Sequence, residues 1–81
     1  MIIVSVEDNL AKKFSNPFFT ESEDEAVRMF KLAVNDSHNE MLNNFPEDYA
    51  LWYLGEFDTK TGLIIPEPRK IIDAKALRKD Y

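Results

Sequence analysis

The chain contains a single histidine, and catalytic or transition-metal chemistry of the usual kinds would depend on it. A serine–histidine–aspartate triad would need His38 near a serine on a glycine-rich turn, and no serine in the sequence stands on such a turn. Asn35, Asp36 and Glu40 surround His38 with the spacing of a loose metal cluster. Because a transition-metal site usually takes several His or Cys ligands, we interpret this stretch as a solvated loop after a helix.

Other site patterns are equally incomplete. The turn that begins at Asp58 has Lys60 where a calcium loop needs an oxygen ligand, and Arg69 stands where its last acidic ligand would be. A phosphate-cradling loop needs clustered glycines, and the chain has two glycines in all. We therefore predict that the protein is not an enzyme and has no catalytic residues, no metal and no cofactor. Four carboxylates near one aromatic stretch could pair for acid–base work but are expected to be solubilising charges: Glu47, Asp48, Glu56 and Asp58.

Aromatic side chains are concentrated in one apolar stretch, residues 49–57. If one helix covers one face of a sheet, the other face carries either Trp52 or the pair Tyr49 and Tyr53. Rings exposed on such a face can stack unpaired bases, each contributing about 1–3 kcal/mol. The alternative, which the residues alone favour, is that these rings fill the core or a dimer seam.

The charge balance is acidic and unevenly distributed. The 81 residues include 15 acidic and 10 basic side chains, for a net charge of −5, which argues against a protein that coats DNA nonspecifically. Residues 1–66 hold five bases and twelve acids, whereas residues 67–81 hold five bases and three acids. Scattered, solvated charge is the default interpretation of the basic residues, and the basic tail is the first place to look for phosphate contacts.

Several cellular settings are disfavoured by composition. The chain has no cysteine, which excludes disulfides and thiolate metal sites and is compatible with a reducing cytosol. Its first residues lack the basic and apolar regions of a signal peptide. The longest apolar run is six residues, 49–54, so no membrane span is expected.

The elements that position these residues follow from local patterns. Alternating apolar residues predict a strand over residues 2–6, and a second short extended piece is expected over 10–15. Phe18 and Phe19 follow a break at Asn16-Pro17 and should point to opposite sides of an extended backbone. A helix is predicted over residues 23–35, because Ser22 and Glu25 form a capping box and an apolar stripe follows. Asp24 and Arg28 are spaced for an ion pair on its flank.

The second half of the chain predicts a hairpin. Residues 37–48 are expected to form a short helical turn or a packed loop, and residues 49–57 the first strand. Strict alternation places Tyr49, Leu51, Tyr53 and Phe57 on one face of it. Residues 63–65 return as the second strand after a turn in which Gly62 suits a positive φ. The prolines at 66 and 68 disfavour a longer strand.

These elements predict one small α+β domain over residues 1–66 and a basic C-terminal segment over 67–81. The domain has an antiparallel sheet of three to four strands, one main amphipathic helix, and the order strand, possible short strand, helix, hairpin. The C-terminal segment is expected to be an extended arm or a short amphipathic helix.

Five strings of residues along the chain have a familiar order. They are Pro17-Phe18-Phe19, Ala26-x-Arg28-x-Phe30, Asn35-Asp36, Pro46-Glu47-Asp48-Tyr49-x-Leu51 and Leu54-Gly55-Glu56-Phe57-Asp58-x-x-Thr61-Gly62. In this order the sequence resembles the small non-structural protein of gokushovirus-type microviruses (Microviridae), which are single-stranded DNA phages of bacteria. The resemblance covers residues 1–66 and is most specific over 46–62.

The resemblance implies a protein that is made in the infected bacterium and absent from the finished virion. Such proteins are usually described as DNA-binding, acting in viral single-strand synthesis or packaging, and the resemblance brings no catalytic residues with it. The contact positions that it suggests are Arg28 and four aromatic residues, namely Phe18, Phe19, Tyr49 and Phe57.

We therefore predict a non-catalytic phage accessory protein that acts in the cytoplasm of the bacterial host. Its expected partners are single-stranded DNA and a second copy of the chain in a homodimer, with no membrane. The alternative is an acidic adaptor that binds a phage or host replication or assembly component, since acidic surfaces steer toward basic partners. The predicted nucleic-acid contacts are Lys12, Lys13, Arg28, Lys31, Trp52, Tyr53, Arg69, Lys70, Lys75, Arg78 and Lys79.

Overall fold

Five antiparallel strands form one sheet in a computed structural model that describes residues 1–80. The sheet order is β2-β1-β4-β5, and β3 also pairs with β1. The predicted α+β class is confirmed. The sheet has five strands where three to four were predicted, because two short strands pair with the same edge of β1 and the chain around Asn16-Pro17 separates them. The strands are β1 (Ile2–Asp8), β2 (Lys13–Phe14), β3 (Phe18–Thr20), β4 (Tyr49–Phe57) and β5 (Ile64–Asp73).

The main helix, α1 (Glu23–Val34), has the predicted capping box. The Ser22 side chain accepts a hydrogen bond from the Glu25 amide at 3.2 Å, and the Glu25 carboxylate accepts one from the Glu21 amide at 3.2 Å. The first bond satisfies one of the amides that a helix start leaves unpaired, and the second joins Glu25 to the residue before the cap. The helix ends at Asn35, whose side-chain amide donates to the Lys31 carbonyl at 2.9 Å.

The core lies between α1 and one face of the sheet. A short helix α2 (Glu40–Asn44) and two 3₁₀ turns, Pro46–Asp48 and Ala74–Ala76, complete the described chain. Side chains from α1, α2 and the last turn join the same cluster, so the helical elements share one side of the sheet. Among residues 1–80, no helix has the length and apolar character needed to cross a bilayer. The buried apolar side chains of the cluster are Ile2, Val4, Ala26, Phe30, Val34, Leu51, Tyr53 and Ala74.

A β-bulge at Leu54 overturns the predicted alternation along β4. Val4 pairs with Tyr53 and Ile3 with Gly55, so one extra residue of β4 lies between these pairs. Beyond the bulge the faces are exchanged: Phe57 turns away from the core, and its ring contacts Phe19 on the opposite side of the sheet from α1. The prediction that Phe57 shares a face with Leu51 and Tyr53 is therefore wrong.

The second strand of the hairpin is longer than predicted. The hairpin itself is confirmed, with Gly62 at φ 78°, but β5 continues through both prolines to Asp73. Prolines are tolerated at this position because β5 is an edge strand, where a missing amide donor need not break a ladder on both sides. The segment after Pro66 is thus extended as far as Asp73 and ends in the 3₁₀ turn Ala74–Ala76.

Candidate nucleic-acid interface

The sheet face opposite α1 carries a row of partly exposed aromatic rings, and we call it the helix-free face. Residues that are paired across antiparallel strands share a face. Trp52 pairs with Ser5 of β1, and Phe14 pairs with Glu7 of β1. Ser5 and Glu7 alternate along β1 with Val4 and Val6, which face the core, so the two rings lie on the opposite face. The rings on the helix-free face are Phe14, Phe19, Trp52 and Phe57.

Phe14 and Trp52 form the central pair of this face. Their ring centroids lie 5.4 Å apart with planes at 81°, an edge-to-face arrangement. The indole Nε1 of Trp52 donates to the Glu7 carboxylate at 3.0 Å, which fixes the orientation of the ring. Phe14 keeps 44% of its surface exposed, so a flat, apolar ligand can reach the pair.

Two serines, Ser5 and Ser15, connect β1 to the segment after β2 beneath these rings. Ser5 is fully buried, and its hydroxyl donates to the Ser15 carbonyl at 2.7 Å. The Ser15 hydroxyl in turn accepts from the Val6 amide at 3.1 Å. These bonds tie the connection between β2 and β3 to β1, and they keep Phe14 in place beside Trp52.

A second aromatic pair lies further along the same face. Phe19 and Phe57 have ring centroids 5.7 Å apart, and Phe19 is 50% exposed. The first pair lies beside Ser5 and Glu7, whereas the second lies beside Ile3 and the first residue of the chain. Four strand residues separate them, or about 13 Å.

Lys70 is the basic residue that the structure places beside Trp52. The two residues are cross-strand partners, so their side chains leave the sheet on the same face. The Lys70 ammonium contacts the Asp73 carboxylate at 3.1 Å, and both side chains are over 40% exposed. An exposed pair of this kind contributes about 0.2–1 kcal/mol, so a phosphate can compete for the ammonium group.

Tyr53 lies on the other side of the sheet, in the core, with 9% of its surface exposed. The Arg69 guanidinium stacks over its ring at 4.3 Å and also forms an ion pair with Glu23 at the start of α1. This arrangement ties the edge strand β5 to the helix. Tyr53 is therefore not among the exposed rings of the helix-free face, and Arg69 faces the helix rather than the aromatic row.

The other predicted basic contacts are dispersed. Arg28 and Lys31 are exposed on α1, on the far side of the sheet, and in the described chain Arg28 does not form the predicted ion pair with Asp24. The Arg78 Nε donates to the Asn43 carbonyl at 3.1 Å, which gives that side chain a structural task between α2 and the tail. Four exposed lysines remain at the β2 edge and in the last segment, namely Lys12, Lys13, Lys75 and Lys79.

Two residues of the helix-free face were not predicted as site residues, Phe14 and Glu7. Phe14 stands in a polar stretch in which periodicity is too short to assign a face. Glu7 lies on the face of β1 opposite to Val6, as the alternation of the strand predicts. That alternation could have indicated that Glu7 shares a face with Trp52, but only once the pairing of β1 with β4 was known.

The comparisons with known proteins give one family. A family model described as "Phage ORF5 protein" matches residues 1–77. No curated protein and no solved structure matched the chain. The family match covers both aromatic pairs, Lys70 and the whole sheet.

Proposed function

Because the chain belongs to the Phage ORF5 protein family and is a phage protein, we propose that it binds single-stranded DNA through the helix-free face. In this proposal it is a non-structural accessory protein of a gokushovirus-type microvirus and acts in the bacterial cytoplasm during viral single-strand synthesis or packaging. The role is non-catalytic and needs no cofactor.

The observation that carries the proposal is the oriented pair of Phe14 and Trp52 with Lys70 beside it. Proteins that bind single strands without strong sequence preference stack bases on aromatic rings and contact the backbone with cations. Here the indole is held by Glu7, the phenyl ring is accessible, and an ammonium group leaves the sheet on the same face. The second pair, Phe19 and Phe57, extends the platform along the strand.

The charge of the protein sets how strong this binding is. A net charge of −5 repels the phosphate backbone, and the Glu7 carboxylate lies on the binding face itself. We therefore expect weak binding by one copy that falls steeply as salt is added. A homodimer on one strand would strengthen it, because the second contact becomes intramolecular.

The test uses Trp52, the one tryptophan of the chain, as its reporter. A labelled oligothymidine is titrated with tens of micromolar protein at about 50 mM salt, where the electrostatic contribution is strong. We expect the anisotropy of the label to rise and the tryptophan emission to fall together, since a base that stacks on the indole quenches it. Duplex DNA of the same length should bind more weakly, because its bases are not free to stack.

A matched pair of phenylalanine variants gives the control. Phe14→Ala removes the ring beside Trp52, whereas Phe45→Ala removes a ring of similar exposure on the helix side of the sheet. Only the first should weaken oligothymidine binding, by about 1 kcal/mol or more for a lost stack. No anisotropy change at low salt would overturn the proposal, as would binding that leaves the tryptophan emission unchanged.

Lys70 gives a second measurable consequence. We expect Lys70→Ala to weaken binding and to lower the magnitude of the slope of log affinity against log salt by about 0.7, the value for one phosphate contact to a single strand. Lys31→Ala, which removes an equal charge from α1, should leave that slope unchanged. Equal slope changes in the two variants would show that the lysines act through net charge and not through a contact on this face.

A further inference from the structure

An apolar pocket of about 290 Å³ opens on the helix side at one end of the sheet. It lies between the turn after β1, the short helix α2 and the start of β4. Its apolar lining comes from Leu10 and Ala11 in the turn, Met41 and Phe45 at α2, and Tyr49 at the start of β4. The pocket is separate from the helix-free face, because Tyr49 and its partner Asp8 leave the strands on the opposite side from Trp52.

Three large apolar side chains at this pocket are exposed. Leu10 has 78% of its surface exposed, Met41 57% and Phe45 47%. Single exposed apolar residues are ordinary on a protein surface, but several that converge on one concavity are typical of a surface that binds a partner. The shape and chemistry of the pocket fit one apolar side chain of a partner.

Carboxylates line the same pocket, and no basic side chain does. Asp8 accepts hydrogen bonds from the amides of Leu10 and Ala11 at 3.1 and 3.0 Å, so it is fixed at the pocket wall. Burial, followed by the negative charges of Asp8 and Asp48, raises the pKa of the Tyr49 phenol. The two carboxylates that contribute to this shift also place negative charge at the pocket.

A second, polar cleft of about 60 Å³ adjoins the pocket and shares Asp48 and Tyr49 with it. It is lined by four acidic side chains and one basic side chain, Lys70. An apolar pocket beside an acidic cleft is complementary to an apolar side chain followed or preceded by a lysine or arginine. The acidic side chains of the cleft are Glu7, Glu47, Asp48 and Asp73.

Charge argues against a second copy of this chain as the occupant. A symmetric dimer through this surface would place Asp8 and Asp48 of one copy against the same carboxylates of the other. Like charges brought together in this way oppose association. A nucleic acid is disfavoured for the same reason, since the rim would repel its phosphates.

We propose that this pocket docks a basic peptide segment of a partner protein, with an apolar anchor side chain in the pocket and a flanking lysine or arginine in the adjoining cleft. The pocket lies on the helix side of the sheet, whereas the adjoining cleft shares Glu7 and Lys70 with the helix-free face. The basic residue of the peptide and single-stranded DNA would therefore compete for the cleft, and only the apolar pocket lies outside the proposed DNA-binding face.

The test is a titration of the isotopically labelled full-length chain with short synthetic peptides, followed by amide chemical shifts. The probe peptide has a central phenylalanine between pairs of lysines; one control peptide has glutamates in place of the lysines, and another has serine in place of the phenylalanine. We expect the probe alone to shift the amides of Leu10, Met41 and Tyr49. Binding should weaken as salt is raised, because the charges are near the surface.

Matched variants locate the site. Met41→Glu should abolish the shifts, whereas Leu32→Glu, which adds the same charge at another exposed apolar position, on α1, should retain them. Asp48→Asn should weaken peptide binding about two- to fivefold, in keeping with the loss of one exposed ion pair. Glu56→Gln, at the far end of β4, should leave peptide binding unchanged.

The proposal is overturned if the probe produces no shifts at the pocket, if the glutamate peptide binds equally well, or if oligothymidine produces these shifts instead. A dimer that Met41→Glu dissociates in sedimentation would also overturn it, because the pocket would then belong to a second copy.

Discussion

Gly55→Ala is expected to destabilise the protein by about 3 kcal/mol, because β5 leaves no room for a side chain at this position. Gly55 has φ 150°, which L-residues rarely adopt, and a Cβ there would lie 2.2 Å from the Ile65 carbonyl oxygen and 3.0 Å from the Pro66 Cα. Both obstacles are backbone atoms, so they can move only if the hairpin shifts. Denaturation by urea, followed by far-UV circular dichroism, measures the loss.

The other glycine of the chain is the matched control. Gly62 also has a positive φ, 78°, but a Cβ there would meet nothing within 4 Å. Gly62→Ala should therefore cost only the left-handed backbone penalty of about 1 kcal/mol. Equal losses in the two variants would contradict the argument that close approach of β5, and not backbone conformation alone, requires glycine at position 55.

Gly55 also matters for the candidate interface, since it adjoins the bulge that sends Phe57 to the helix-free face. If the Gly55→Ala variant retains a folded core, we expect the NMR contacts between the rings of Phe19 and Phe57 to weaken. The contacts between Phe14 and Trp52, on the other side of the bulge, should persist. Binding of oligothymidine would then report how much the second aromatic pair contributes.

Leu51→Ala is expected to lower the free energy of unfolding by about 3 kcal/mol. Leu51 is fully buried at the middle of the sheet, between Val6 on β1 and Ile72 on β5. Truncation of a buried leucine loses its transfer free energy and leaves a cavity, for a usual total of about 2–5 kcal/mol. For a chain of this length, the midpoint of thermal unfolding should fall by about 12–24 °C.

Leu32→Ala provides the comparison for this variant. Leu32 lies on α1 with 71% of its surface exposed, so the same chemical change removes little buried area. We expect a change within about 0.5 kcal/mol. A similar loss in both leucine variants would mean that the exposed face of α1 is covered in solution, and the oligomeric state would then have to be measured before either number is assigned to the core.

The extent to which the fold could be predicted depends on the range of the forces involved. The α1 boundaries follow from Ser22, Glu25 and the apolar stripe, all within a few turns of helix, and the prediction is confirmed. The hairpin turn follows from residues 58–62 in the same way. The course of β5 past Pro66 was not predictable locally, because a proline is compatible with a strand only if that strand lies at an edge, and edge position is a property of the whole sheet.

The candidate site also has features that local patterns predict and features that depend on contacts between distant segments. Local residue patterns are enough to predict that one aromatic stretch forms a strand, that one helix covers one face of it, and that Trp52 and Tyr53 leave that strand on opposite sides. Tertiary structure decided which of the two rings is buried, because α1 packs over the face that carries Val4, Leu51 and Tyr53.

Pairing between distant segments decided the rest. Phe14 reaches Trp52 across 38 positions of sequence only because β2 and β4 both flank β1, and Phe57 joins Phe19 only because a bulge exchanges the faces of β4. The apolar pocket likewise needs the turn after β1 and the helix α2 on one side of the sheet. Register depends on which faces of the paired strands are buried, and a bulge is defined only by two strands together, so neither feature can be assigned from the residues of one strand alone.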